Sequence, residues 1–177
     1  MDHEIKIEYF KTKFGELIIG SFENKLCLCD WRYRKMRNSV DKNLKTRLNA
    51  DFIVEGTAIS QKTKNQLNEY FEGQRKEFDI PLYLVGSDFQ IKVWNKLLSI
   101  PYGKTESYLG LSKKLGDEKA IRAVASANGA NQISIIVPCH RIVGSNGKLV
   151  GYAGGLQVKM KLLNLENAII NGQMRLF

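Results

Sequence analysis

An α+β chain of two domains is what the sequence predicts. Residues 1–82 read as a small antiparallel sheet with helices, and residues 86–170 as a mostly helical domain carrying a helix-turn-helix. Three observations carry this. Apolar and polar residues alternate with a period of two through much of the first 31 residues, the pattern of half-buried strands. From Ser87 onward the period lengthens to that of an α-helix, and capping residues precede the apolar stripes. Charge is uneven as well: residues 1–84 hold 15 basic and 13 acidic side chains, residues 85–177 hold 12 and 5, so most of the net +9 lies in the second half.

The elements follow in order. IKIEYF (Ile5–Phe10) and ELIIGSF (Glu16–Phe22) flank a turn at Lys13-Phe14-Gly15, and KLCLCDW (Lys25–Trp31) follows Glu23-Asn24, so three strands should form an antiparallel meander. The charged stretch Arg32–Arg47 reads as helix and loop. Gln61–Phe71 carries Leu67, Tyr70 and Phe71 at helical spacing and stops at Gly73. EFDIPL (Glu77–Leu82) reads as one more strand or an extended linker, because Pro81 lacks a ladder donor. Ser87 with Gln90 three residues on makes a capping box ahead of a stripe of Phe89, Val93, Trp94, Leu97 and Leu98, ended by Pro101 and Gly103. Tyr108–Leu115 is a short helix closed by Gly116. Asp117 caps another, Glu118–Ala127, ending at Asn128-Gly129, and the pair makes the helix-turn-helix. Leu156–Glu166 is the last helix, with Leu156, Met160 and Leu163 on one face.

Composition excludes several classes. With 44% apolar and 10% aromatic residues the chain can bury a core, so it is not a disordered tail. No window approaches 18 uncharged apolar residues, which excludes a helical membrane span. The start MDHEIKIEYF lacks the apolar block of a signal peptide, so a cytoplasmic protein is expected. Three cysteines are too few for a disulfide framework. Cys27-x-Cys29 on a strand would point both thiols the same way, but only His3 adds a soft ligand nearby, and structural zinc takes four. They read as core thiols, with no metal and no cofactor expected. The basic second half fits a polyanionic partner, most simply nucleic acid, or a solvated surface.

The chemistry concentrates in IIVPCHRIVG, Ile135–Gly144. Pro138 fixes its own φ and biases Val137 to an extended conformation, which presents the next side chain stiffly. That side chain is Cys139, whose thiolate is the nucleophilic form and, at an ordinary pKa of about 8.5, is only a few per cent populated at neutral pH. His140 could accept the thiol proton, and a carboxylate could fix the imidazole's tautomer. Glu166 is the only acid after Glu118 and hence the only C-terminal carboxylate for that role. A lone buried Cys is more often a small core residue, and neighbours on a strand point to opposite faces. The residues by themselves therefore leave a Cys-His-Glu site and a structural cysteine both open.

Pro138-Cys139-His140-Arg141 followed by Gly151-Tyr152-Ala153-Gly154-Gly155 resembles the O6-alkylguanine-DNA alkyltransferases, most closely the bacterial Ogt-like members. Ser107-Tyr108, Arg122-Ala123-Val124 and Asn131 stand in the same order and at family spacing. The resemblance is strong from Ser87 to Glu166 and weak before it. It implies a ribonuclease-H-like first domain and a winged-helix-like second one. It implies direct-reversal DNA repair: an alkyl group leaves O6 of guanine, or less readily O4 of thymine, in duplex DNA and ends irreversibly on the protein's own cysteine, once per molecule. By that resemblance Cys139 is the acceptor, His140 the base and Glu166 its orienting carboxylate. Tyr108 assists base rotation and gives a proton to the leaving guanine, and Arg122 fills the vacated stack. Ala123 and Asn128 join Tyr108 and Arg122 at the DNA, while Asn131 holds a turn. Pro138, Arg141, Ile142, Tyr152, Ala153 and Gly154 shape the pocket. The implied partner is double-stranded DNA containing O6-alkylguanine, met by a monomer. Ala120, Ala123, Ala125 and Ala127 would let the third helix approach a groove closely or simply pack on a neighbour. Asn128, Gln132, Ser134 and Ala153 stand where some relatives carry Met, Pro, Pro and Ser.

Three other readings predict different behaviour. A lesion-recognition protein would lack the acceptor cysteine, which is present. A helix-turn-helix regulator would bind one sequence rather than a lesion. A cysteine hydrolase would need an oxyanion-hole signature, which does not accompany Cys139.

Overall fold

The computed structural model describes residues 3–170 and 173–174, and the chain divides into two compact units between Gly86 and Ser87. In the first unit β1 (Glu4–Thr12), β2 (Gly15–Phe22) and β3 (Lys25–Trp31) form the expected meander. Helix α1 (Arg37–Leu48) follows, then β4 (Asp51–Val54) and α2 (Ala58–Phe71). The sheet order is β3-β2-β1-β4, and β4 runs parallel to β1, so the sheet is mixed rather than purely antiparallel. Strand β4 escapes a pattern search because it has four residues, two of them exposed, and no fully buried position.

One face of the sheet packs Ile5, Ile7, Ile18, Cys27 and Leu28 against Leu44 and Ala50. On the face of Ile19 and its cross-strand neighbour Glu8, the Glu8 carboxylate accepts from Ser60 and Lys64 of α2. A bulge opposite Gly20 and Ser21 leaves Cys27 out of register, so Cys27 joins Leu28 in the first cluster while Cys29 pairs with Ile19. The two thiols therefore do not share a face as plain alternation predicts. Burial pushes the Cys27 thiol up to about 12 and Cys29 higher still, as expected of inert core thiols. Residues 77–82 are neither strand nor free linker. They run extended and touch β3 at one bridge, where Leu26 N–H donates to Pro81 O at 2.8 Å and Tyr83 N–H to Leu26 O at 2.8 Å.

The second unit opens with α3 (Asp88–Leu97), and its capping box forms as the sequence requires: Ser87 accepts from Gln90 N–H and Gln90 accepts from Ser87 N–H. Only Val93, Trp94 and Leu97 of its stripe are buried; Phe89 and Leu98 are exposed. Strand β5 (Glu106–Ser107) leads into α4 (Tyr108–Lys114), which Ser107 caps by accepting from Gly110 N–H. Asp117 caps a 3-10 turn, Glu118–Ala120, and the α-helix α5 begins only at Ile121 and runs to Gly129. Strand β6 (Ile142–Val143) pairs in parallel with β5, α6 spans Leu156–Leu165, and β7 (Ile169–Ile170) pairs with β8 (Gln173–Met174). In α6 the buried residues are Lys159, Leu162 and Leu163, while Leu156 is exposed, so the inward face is turned from the one the apolar pattern marks.

Candidate active site

The site is built on the turn that links α5 to β6, every residue of which from Asn131 to Val143 is buried. Asn131 organises it. Its amide donates to Val137 O at 2.9 Å and to Ile133 O at 3.4 Å, and its carbonyl accepts from Ile133 N–H at 3.0 Å. Inside that clamp Ile135 sits at φ 72°, a left-handed conformation that a β-branched residue adopts only under constraint. Trp94 holds the preceding helix end by donating to Ala127 O at 2.8 Å. Cys139-His140-Arg141 forms a 3-10 turn capped by Pro138, so the strand alternation weighed against a Cys-His pair does not apply. With three residues per turn, consecutive side chains there diverge by about 120° rather than 180°.

His140 and Glu166 meet at the centre. The His140 Nε2 to Glu166 Oε1 distance is 2.8 Å, and both side chains are fully buried. An ionised carboxylate only accepts, so Nε2 carries the hydrogen and Nδ1 is the bare nitrogen. That Nδ1 is buried and has no hydrogen-bond partner among the described residues. Arg141 clasps the same carboxylate from two nitrogens, at 3.0 and 2.9 Å, and donates to Ile100 O at 2.6 Å. Gly103 N–H adds a longer contact to Glu166 at 3.4 Å, from a backbone at φ +78° where a Cβ would press on Glu166 O. Burial pushes the Glu166 carboxyl up, but His140 and Arg141 outweigh it and hold it well below the usual range. Burial lowers His140, and Glu166 offsets only part of that, so the resting imidazole is neutral. Tyr152 covers it, ring edge to face at 6.5 Å.

Two further groups converge here. Tyr108, delivered by the β5–β6 pairing, donates to Val150 O at 3.3 Å. Lys159 is fully buried and donates to the same Val150 O at 2.9 Å and to Gly151 O at 3.1 Å. Its ammonium lies near enough to Cys139 for the two charges to couple, and burial pulls it down to about 8. Sequence reasoning missed Lys159. The available signal was a lysine three residues after Leu156 and four before Leu163, inside the apolar stripe of α6.

On α5, Arg122, Ala123, Ser126 and Gly129 are exposed along one side, and among the described residues Arg122 has no hydrogen-bond or ion-pair partner. Because the α-helix begins at Ile121, Arg122 is its second residue rather than the fifth of a helix starting at Glu118. Asn128, expected among the DNA contacts, is instead 5% exposed and turned inward. Ile142 is fully buried, while Tyr152, Ala153 and Gly154 form a half-buried rim. No group of three or more His, Cys, Asp or Glu side chains fit for a metal occurs among the described residues.

Residues 88–168 match the model of the DNA-binding domain of 6-O-methylguanine DNA methyltransferase, and residues 5–84 that of its ribonuclease-like domain. A methylated-DNA–protein-cysteine methyltransferase of Methanosarcina acetivorans is 49% identical over 159 residues, covering 90% of this chain and 96% of that protein. The chain belongs to this methyltransferase family. A second family member, from Mycobacterium bovis, is 51% identical over 113 residues, 64% of this chain and 68% of that one. The crystal structure of the Mycobacterium tuberculosis O6-methylguanine methyltransferase superposes with a TM-score of 0.77 at 38% identity over 92% of both chains. A structure of the M. tuberculosis protein in complex with DNA gives 0.77 at 37% identity over the same shares. The two-domain α+β fold and its ribonuclease-like first half are those of the family. Among the described residues no helix is long and apolar enough to cross a membrane.

Proposed function

We propose that this chain repairs DNA by moving an alkyl group from O6 of guanine in a duplex to Cys139 Sγ, once per molecule. The observation that carries the reading is the bare, buried Nδ1 of His140, next to Cys139 on one 3-10 turn, with Nε2 tied to Glu166 at 2.8 Å. A neutral imidazole so held is a proton acceptor for the thiol, and Glu166 stabilises the imidazolium that forms. Lys159 favours the thiolate. The S–C bond forms as the C–O6 bond breaks, and Tyr108 protonates the departing guanine, so thiol plus O-alkylguanine gives thioether plus guanine. A thioether has no ready leaving group, which makes the transfer irreversible.

A guanine reacting at O6 must leave the stack, at a cost of a few kcal/mol. Arg122, without a partner among the described residues, stands at the leading end of a helix face otherwise made of Ala123, Ser126 and Gly129, and a long side chain entering the gap offsets part of that cost. The backbone around Tyr152, Ala153 and Gly154, with Ile142, lines the base pocket, and Pro138, Asn131 and Arg141 fix the turn that carries Cys139. Residues 86–170 hold the whole chemistry, and residues 1–82 support them. The protein acts in the cytoplasm, as a monomer, without a metal or cofactor.

Intact-protein mass spectrometry after incubation with an O6-methylguanine duplex tests this. One added methyl group, mapped to Cys139, stoichiometric and absent in Cys139→Ala, is the expected result. Tight lesion binding with no mass change would favour a recognition protein, and sequence-specific binding without lesion preference a regulator.

A further inference from the structure

Between α3 and β5 the chain turns through Ile100–Gly103, closed by Lys104 N–H donating to Pro101 O at 3.1 Å. This turn lies against the far side of the Glu166 carboxylate from His140. Ile100 O accepts from Arg141 Nη1 at 2.6 Å, and Gly103 N–H reaches Glu166 Oε2 at 3.4 Å. Between them stands half-buried Tyr102, which makes two contacts of different kinds. Its hydroxyl donates to Leu165 O at 3.2 Å. Leu165 is the last residue of α6, so its carbonyl is one that a helix end leaves without an intrahelical partner, and the peptide it belongs to is the one that carries Glu166. Its ring lies beneath the Arg141 guanidinium, 5.8 Å from centroid to Cζ, within cation–π reach.

A helix end could be capped by a smaller group. What Tyr102 adds is a hold on both supports of Glu166 at once, the backbone behind it and the guanidinium beside it. That matters because one carboxylate oxygen is shared: Oε1 accepts from His140 Nε2 at 2.8 Å and from Arg141 Nη2 at 2.9 Å. A guanidinium free to shift would draw Oε1 off the imidazole. A neutral imidazole without that acceptor has no reason to keep its hydrogen on Nε2, and with the hydrogen on Nδ1 it has no lone pair for the thiol proton.

We infer that Tyr102 is a positioning residue for the general base: through Leu165 O and the Arg141 guanidinium it fixes Glu166 against His140 Nε2 and so keeps Nδ1 the bare nitrogen. This rests on the proposed role of His140 as that base. Tyr102 touches neither Cys139 nor the base pocket in this scheme, and acts only on which imidazole nitrogen carries the hydrogen.

The test reads that nitrogen directly. His3 and His140 are the only histidines, so NMR of the protein carrying ring-15N-labelled histidine resolves His140. Wild type should show hydrogen on Nε2 alone. Tyr102→Leu should show a mixture of the two tautomers and should slow single-turnover methyl transfer from an O6-methylguanine duplex on the order of tenfold. In a His140→Gln protein the same change should cost less than about twofold. Should the Leu variant fail to fold, Tyr102→Phe, which gives up the Leu165 contact and keeps the ring beneath Arg141, should show the same tautomer change in smaller measure. An unchanged His140 tautomer in the folded variant, or equal losses in both backgrounds, would overturn the inference alone and leave Tyr102 a helix cap. A His140→Gln rate equal to wild type would overturn it together with the base role beneath it.

Discussion

Replacing Asn131 by Ala should cost both stability and chemistry, and the structure sets the scale. The side chain is buried and makes two short hydrogen bonds, to Val137 O at 2.9 Å and from Ile133 N–H at 3.0 Å, besides the longer one to Ile133 O. Two such bonds are worth ~2 kcal/mol together. Val137 O and Ile133 O keep a partner each, from Cys139 N–H and Val137 N–H. Ile133 N–H has no replacement, and a stranded buried donor adds ~1–3 kcal/mol. Against this, the turn could relax Ile135 out of its φ 72° conformation, recovering part of a strain of ~1–3 kcal/mol. The net is a loss of about 3 kcal/mol, a large share of the ~5–15 kcal/mol typical of a domain. The same relaxation would carry Cys139 away from its place, so transfer should slow beyond what the unfolded fraction explains. Urea unfolding with a single-turnover assay on the folded protein reads both. A loss below about 1 kcal/mol with an unchanged rate would refute the clamp.

Arg122→Ala should leave the melting temperature within error, since surface changes of this kind stay within about 0.5 kcal/mol, yet slow repair in duplex DNA at least tenfold more than reaction with the free base O6-benzylguanine; equal losses would count against base displacement. Lys159→Met removes a buried ammonium held down at about 8. It should leave stability at pH 7 unchanged or raise it by up to ~3 kcal/mol, while moving the pH–rate profile for alkyl transfer to higher pH; lower stability with an unmoved profile would show a purely structural lysine. His140 and Glu166 both titrate lower folded than unfolded. The stability each contributes is therefore complete above its unfolded pKa, ~6.5 and ~4.3, and is lost as pH falls toward the folded value. Urea midpoints should decline from about pH 6.5 downward, less steeply in His140→Gln over the upper part of that range. A wild-type midpoint flat from pH 7 to 5 would contradict the neutral buried imidazole.

What was legible in the sequence divides along physical lines. Periodicity and capping found β1 to β3, α3 and α4, because each buries enough of one face to impose a pattern. Strand β4 was hidden because its role is to add hydrogen bonds at an edge, with little apolar surface to mark it. Cys139 and His140 stand side by side, and Glu166 stood out both as the only acid after Glu118 and through the family resemblance. The clasp of Arg141 on Glu166 spans 25 residues and depends on how α6 returns to the turn, which no local rule encodes. The strain at Ile135 is invisible for a related reason: a run such as ISIIV (Ile133–Val137) favours extended backbone, and the Asn131 clamp holds one of its residues elsewhere. Lys159 escaped notice and Asn128 was placed at the DNA by resemblance, whereas both side chains are buried, which no local pattern announces for a lysine or an asparagine.

Those inward polar groups share one device. Glu166 gathers His140, two Arg141 nitrogens and Gly103 N–H, so the deepest carboxylate is nearly saturated with donors and the imidazole has a single way to turn. Tyr108 is placed by a much shorter device. Tyr108 follows directly on a two-residue parallel pairing, Glu106 with Ile142 and Ser107 with Val143, which itself follows directly on Cys139-His140-Arg141. Cys139 and Tyr108, distant in sequence, are thus brought to one place by one short register. Side chains alternate along a strand, so a slip of one residue in that pairing would send Tyr108 to the opposite side of the chain. The Ser107 cap on α4 and the bond from Tyr108 to Val150 O both oppose that slip, one by starting the helix at Tyr108 and the other by holding its hydroxyl.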